Sequence, residues 1–323
     1  MKIKVGIIGG AGYTAGELIR LLINHPDVDI RFVHSTSNNG NKITDVHEGL
    51  MGETDLVFSD TLGFDGIDAL FLCSGHGDSR KFMESHLLPE SVKVIDLSTD
   101  FRHKAIAGDF VYGLPELNKS LIQTAKHVAN PGCFATAIQL ALLPLAANCL
   151  LKDEIHVNAI TGSTGAGVKP GATTHFSWRS DNISIYKPFE HQHLQEIKES
   201  LLQLQPSWSS PIHFIPVRGD FTRGIFACVY TACDLQAEEV EKLYSDFYRD
   251  AAFTIVTEKS PDLKEAVNTN KCILSPQKYG NQILIVSVID NLLKGASGQA
   301  LQNFNIMFGL DEKSGLRLKA NGF

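Results

Sequence analysis

The chain lacks most of the features that would point away from an ordinary enzyme. Its 323 residues include six cysteines, with no Cys-x-x-Cys pair and no zinc-ligand spacing, which argues against a zinc ribbon and a disulfide scaffold. No apolar run reaches the ~20 residues that a membrane-spanning helix needs. Net charge is −7, so there is no basic excess for nucleic acid or an anionic membrane. There is no internal repeat and no low-complexity tract. Nothing resembles a leader, since a strand begins at once and runs into a cluster of glycines. The expectation is a cytoplasmic protein with reduced thiols, no nucleic-acid partner and no membrane. Its length suits two domains. With 43% hydrophobic and 20% charged residues, it can bury sizeable cores.

The N-terminus carries the first motif. Ile3 to Ile8 reads as a buried strand, Gly9 to Gly16 as a glycine turn, Glu17 to Asn24 as a helix, and Ile30 to His34 as a second strand. That is one βαβ unit, the crossover that parallel strands require. Glycines let the backbone approach a pyrophosphate seated on the helix N-terminus. Gly9, Ala11, Gly12, Tyr13 and Thr14 are therefore the candidate cofactor loop. At the end of the second strand stands His34-Ser35-Thr36-Ser37-Asn38-Asn39, with no carboxylate. Ser35 and Ser37 can donate to a 2′-phosphate, which favours NADP(H) over NAD(H).

Further short strands are expected at Ala69 to Cys73, Val92 to Leu97 and His127 to Asn130. The last leads into Asn130-Pro131-Gly132-Cys133 and an apolar helix running to about Asn148. A cysteine at a helix's first turn meets unpaired N–H groups and the positive end of the helix dipole. Both favour the thiolate, so Cys133 is the candidate nucleophile; the plainer alternative is a small apolar residue at a helix start. Arg102 is a candidate anion contact or else a partner in an ion pair.

Beyond this helix the pattern changes to mixed strands and helices. Strands are expected at Ile155 to Ile160, His213 to Val217, Ile225 to Ala232, Thr254 to Val256 and Ile283 to Asp290, with helices at Gln236 to Ala251 and Gln299 to Leu310. A second glycine-rich loop, Thr161 to Gly167, precedes Lys169. If a helix runs from Leu194, His193 and Glu196 lie three apart on one face. A carboxylate beside a histidine suits proton transfer. His191 and His193 could also share a metal, but no third ligand stands at a suitable spacing, and no metal is expected. Arg218 and Arg223, beside glycines, suit bidentate contacts to carboxylate or phosphate.

Five stretches taken in order resemble the N-acetyl-gamma-glutamyl-phosphate reductase family of the semialdehyde dehydrogenase group. They are Gly9-Gly10-Ala11-Gly12-Tyr13-Thr14-Ala15-Gly16-Glu17-Leu18, Asn130-Pro131-Gly132-Cys133, Gly162-Ser163-Thr164-Gly165-Ala166-Gly167, His191 to Glu196, and Lys294-Gly295-Ala296-Ser297-Gly298-Gln299 on to Asn303. The resemblance implies an α/β protein: a Rossmann-type parallel sheet domain over 1–143, and an α+β catalytic domain with a mixed sheet over 144–296. A C-terminal helix, 297–323, would pack back on the first domain. It implies Cys133 as nucleophile, His193 as acid/base, Glu196 as its support, and Asn303 among the cofactor contacts. The substrate is then a small acyl phosphate, the pathway arginine biosynthesis, and the assembly a dimer or tetramer. Lys169, Arg218, Arg223 and Arg102 are the candidate substrate contacts. One stretch departs from the family. Where it commonly has Pro-His-Leu-x-Pro before its Thr-Arg-Gly, this chain has Pro216-Val217-Arg218-Gly219-Asp220-Phe221. An added arginine could read an extra carboxylate, which admits an N-succinyl substrate beside N-acetyl. An aspartyl or aminoadipyl phosphate dehydrogenase and an NADP redox sensor without turnover are competing readings.

Overall fold

A computed structural model describes residues 2–322. The chain divides into two compact units, one built from the residues up to Pro131 plus Ala296–Arg317, the other from Gly132–Gly295 plus the segment from Leu318.

The first unit opens with β1 (Ile3–Ile8), α1 (Tyr13–Leu22) and β2 (Val28–His34), and continues through β3 (Phe58–Ser59), β4 (Ala69–Leu72), α2 (Asp78–Ser85), β5 (Lys93–Asp96), β6 (Phe110–Tyr112), α3 (Pro115–Thr124) and β7 (His127–Ala129). Its seven strands form one sheet in the order β3-β2-β1-β4-β5-β7-β6. Every pairing in it is parallel. Strand order reverses between β1 and β4, and in open α/β sheets that switch point is where ligands bind. Gly9, just past β1, holds φ +78°, and a Cβ there would meet the Cys73 backbone at 2.8 Å. Only glycine allows this turn to close. α1 starts four residues earlier than the expected Glu17, because Tyr13 and Thr14 already adopt helical backbone behind the glycine N-cap.

The second unit comprises α4 (Cys133–Ala147), β8 (Ile155–Thr161), α5 (Phe176–Arg179), β9 (Ser184–Ile185), α6 (His193–Leu204), β10 (Ile212–Arg218), β11 (Ile225–Ala232), α7 (Ala237–Phe247), β12 (Thr254–Val256), β13 (Cys272–Tyr279) and β14 (Gln282–Ile289). These seven strands make a mixed sheet in the order β12-β13-β14-β11-β8-β10-β9. The chain then re-enters the first unit and ends its regular structure in α8 (Gly298–Met307). Among the described residues, no helix is long and apolar enough to cross a membrane.

The division falls at Pro131/Gly132, ahead of the expected 143/144, because α4 packs on α6, β14, β11 and α7 of the second unit. α4 is apolar on all sides, and every residue from Phe134 to Ala146 is buried. Such a helix must sit inside a core. It also contains Pro144, which removes the N–H that would bond the Leu140 carbonyl and pushes its ring toward that oxygen. The Tyr248 hydroxyl donates to Leu140 O in its place. One turn away, the Tyr244 hydroxyl donates to Ala141 O at 2.6 Å. α7 and the residue after it thus satisfy the acceptor that proline orphans.

This arrangement predicts that Tyr248→Phe destabilises the protein by about 1–3 kcal/mol, the cost of a buried acceptor left without a donor. Urea denaturation should show most of that loss recovered in Pro144→Ala/Tyr248→Phe, where the alanine restores an intrahelical N–H.

Candidate active site

Cys133 is the first residue of α4, behind Gly132 as N-cap, and no side chain caps that end. The first intrahelical bonds come from Thr136, whose N–H and hydroxyl both reach Gly132 O, at 2.8 and 3.0 Å. The N–H groups of Phe134 and Ala135 therefore sit at an uncapped helix start beside the thiol, where the dipole favours negative charge.

α6 supplies the groups facing this turn. Glu196 is buried, and its Oε2 accepts the Gly132 N–H at 2.9 Å. Its Oε1 stands 3.9 Å from His193 Nε2, so His193 and Glu196 share a face as their three-residue spacing predicts. The imidazole lies directly on Gly132, and a Cβ there would overlap Nε2. Behind it His191 is buried among Phe134, Phe214 and Tyr186, its ring centroid 4.6 Å from that of His193. His191 Nδ1 accepts the His193 N–H at 3.2 Å and so caps the start of α6. Burial first, then the Lys187 charge, lowers His191 from 6.5 to about 4, against an opposing pull from Glu196. His191 is neutral at neutral pH.

The loop after β14 closes the site from another side. Gly295 lies against Cys133: a Cβ there would come within 2.8 Å of the Cys133 Cβ. Its N–H is held by Asp290 O at 2.9 Å. The buried Asp290 carboxylate accepts N–H groups of Leu292, Leu293 and Asn268. It also takes both Nε and Nη2 of Arg223 at 3.1 Å. Asn291 Oδ1 receives Gly224 N–H at 2.7 Å, and its Nδ2 donates to Thr164. The second glycine loop is laced to the Phe221–Gly224 segment by backbone bonds from Gly162, Ser163 and Thr164.

Arg218, at the end of β10, lays its guanidinium over the Tyr186 ring at 3.9 Å. Lys169 is exposed. Arg102 is buried in the first unit, with Nε on Asn130 O at 2.8 Å and Nη2 on Leu97 O at 2.9 Å, which braces the turn ahead of Pro131. Asn303 is buried there too, and its Nδ2 donates to Gly113 O and Asn130 Oδ1. Sequence reasoning missed Arg179, Tyr186 and Asp290. Arg179 and Tyr186 lie in no periodic or glycine-marked pattern, and Asp290 only closes an expected strand; β9–β10 pairing and the turn after β14 bring them in.

The dinucleotide loop can be tested for fit within the first unit. Gly12 is the N-cap of α1 with no side-chain cap, and a Cβ on it would meet nothing closer than 3.9 Å. An open, uncapped helix start is a ready anion seat. Ser35 and Ser37 converge at 3.4 Å, both taking Asn38 Nδ2. Asn303 Oδ1 is a buried acceptor without a partner. The residues present fit a nicotinamide dinucleotide.

Two outcomes are expected from this geometry. Gly132→Ala keeps a backbone that alanine accepts (φ −71°, ψ 152°) but displaces His193, so turnover should fall at least about tenfold, the lower range for losing an acid/base group, while the melting temperature changes little. For His191, the unfolded chain binds a proton below 6.5 and the folded chain only below about 4. The unfolded state therefore takes up the extra proton in this window, and stability falls as pH drops through it. Melting curves from pH 7 to 4 should be less steep in pH for His191→Gln than for the unsubstituted protein.

With the geometry in hand, the chain can be set beside known proteins. Residues 4–125 match the semialdehyde dehydrogenase NAD binding domain, and residues 133–291 match the semialdehyde dehydrogenase dimerisation domain. The chain is 64% identical to N-acetyl-gamma-glutamyl-phosphate reductase of Phocaeicola vulgatus, over 99% of its own length and 100% of that protein. It is 63% identical, over the same shares, to the enzyme of that name from Parabacteroides distasonis. Among solved structures it is similar to aspartate semialdehyde dehydrogenase II of Vibrio cholerae, with a TM-score of 0.75 and 16% identity over 96% of this chain and 99% of that one. It is also similar to aspartate semialdehyde dehydrogenase with NADP from Candida albicans, with a TM-score of 0.72 and 16% identity over 95% and 99%. These two likenesses concern the fold.

Proposed function

The chain belongs to the N-acetyl-gamma-glutamyl-phosphate reductase family of semialdehyde dehydrogenases, and from that premise we propose that it reduces N-acetyl-gamma-glutamyl phosphate to the 5-semialdehyde with release of phosphate. One observation carries the reading: a cysteine at an uncapped buried-helix start, with a histidine ring lying on the glycine before it. Cys133 Sγ attacks the acyl carbon and the bond to the phosphate oxygen breaks. This leaves a thioester on the enzyme and free phosphate, and it divides one hard reduction into two easier steps. When bound, a reduced nicotinamide dinucleotide supplies the hydride that brings the acyl carbon to the aldehyde level. The N–H groups of Phe134 and Ala135 stabilise the oxygen as it gains charge, an effect of about 3 kcal/mol per well-aimed donor. His193 holds the proton that this oxygen takes up, and accepts it back as the carbon–sulfur bond opens and Cys133 is regenerated. Glu196 fixes the Gly132 peptide and stands 3.9 Å from the imidazole, holding both in register.

Gly9, Ala11, Gly12, Tyr13 and Thr14 would hold the pyrophosphate, and Asn303 Oδ1 offers an acceptor. NADP(H) is read in preference to NAD(H), because hydroxyls and an amide stand at the end of β2 where a carboxylate would repel a 2′-phosphate. The second unit is read as the one through which copies pair. The aspartyl-phosphate reading has only the fold likeness behind it.

The decisive assay runs the reaction backwards, following phosphate-dependent reduction of NADP+ by N-acetylglutamate 5-semialdehyde. Cys133→Ser should abolish it while still binding NADPH, and His193→Ala should lose at least about tenfold in turnover. Near-normal turnover by Cys133→Ser would overturn the nucleophile assignment.

A further inference from the structure

We propose that Arg179 and Arg218 form a carboxylate pocket that recognises a carboxylate of the acyl-glutamyl substrate. The proposal rests on the reductase reading and extends it to substrate recognition. The two arginines line a cavity of about 90 Å³, together with Thr161, Gly162, Ser163 and Tyr186. That space takes a carboxylate and a methylene or two, not a whole substrate. Arg179, at the end of α5, is only 8% exposed. Its Nη2 makes a long bond of 3.4 Å to Thr161 O, and its Nε is buried without a partner. Arg218 stacks on Tyr186 from the other side. Among the described residues, neither makes an ion pair.

Elsewhere this chain partners its buried and half-buried arginines differently. Arg223 lies in a bidentate pair with Asp290, and Arg102 donates to carbonyl oxygens. At Arg179 burial and then the neighbouring Arg218 charge work against the proton, and only Asp220 and Tyr186 oppose them. Asp220 already accepts the Asp181 N–H at 2.8 Å. Two guanidinium groups lining one small cavity with so little counter-charge are destabilising unless a ligand supplies an anion. A planar guanidinium fork matches a carboxylate edge. The pocket adjoins the candidate active site through Tyr186, whose ring centroid lies 5.7 Å from that of His191, which in turn lies 4.6 Å from that of His193.

The carboxylate can come from two sources: the α-carboxylate of the glutamyl group, or a carboxylate ending a dicarboxylic N-acyl group. Calorimetric binding of N-acetyl-L-glutamate and N-succinyl-L-glutamate separates them, using Cys133→Ser with and without Arg218→Gln. Arg218 is half-exposed, so its substitution should leave the fold intact, and circular dichroism checks this. Losing one arm of the pair should weaken binding about thirtyfold or more. An equal loss for both acids identifies the α-carboxylate; a loss confined to N-succinyl-L-glutamate, with the unsubstituted pocket preferring it, identifies the acyl carboxylate. Arg218→Lys should recover part of the affinity, since charge persists while the fork is lost. Binding of both acids within about twofold of the Arg218-intact protein overturns the proposal. Turnover of the corresponding acyl phosphates by the unsubstituted enzyme is measured alongside: if it is absent, the reductase reading fails separately from the pocket.

Discussion

The site hangs on a single hydrogen bond, from the Gly132 N–H to the buried carboxylate of Glu196. Gly132 is at once the N-cap of α4, the residue before Cys133, and the floor on which the His193 ring lies. Fixing its peptide fixes all three. A charge-assisted bond of this kind is stronger than a neutral one, and its burial makes the unbonded alternatives costly. The placement of Cys133 and His193 is therefore set by one backbone group, before either side chain adopts a rotamer.

Around that bond, charge is distributed by task. Asp290 is consumed by Arg223 and three backbone N–H groups, and it shapes the turn that lays Gly295 against Cys133. Its work is architectural, and so is that of Arg102 in the first unit. His191 is kept neutral by its aromatic surroundings, so it can receive the His193 N–H and stay out of the acid/base chemistry. That leaves His193 as the ring lying on the glycine before Cys133, and Arg179 and Arg218 as positive charge without an ion-pair partner among the described residues.

Much of this was legible from residue order. The glycine turn after β1, the cysteine after Pro131-Gly132, and the spacing of His193 and Glu196 are local patterns with local causes. The features that stayed hidden depend on non-local packing. β13 escaped notice because Pro276 and the polar Gln277-Lys278 contradict a central strand. The sheet tolerates them because β12 pairs only as far as Leu274, so Pro276 faces an open edge. α4 reads from sequence as the last helix of the first domain, yet its all-round apolar surface is buried by elements later in the chain. Glu196 was expected to serve the histidine. It reaches the Gly132 backbone first, and no spacing rule reports a bond across 64 residues. Arg179 sits in an irregular stretch whose meaning emerges only when β10 arrives beside it.

The split of the first unit across the chain has a consequence for how the protein is made. Its sheet is complete by Ala129, but α8 supplies part of its core. Phe304 is fully buried with its ring 5.7 Å from Phe71, and Asn305 bonds His25 while Asn303 bonds Gly113 and Asn130. These polar partners leave the ribosome 173 to 280 residues after the sequence they complete. The second unit, nearly continuous from Gly132 to Gly295, is synthesised in the meantime. The first unit is thus first in translation and last to be completed: the helix that fills part of its core is synthesised only after Cys133, His193 and Glu196.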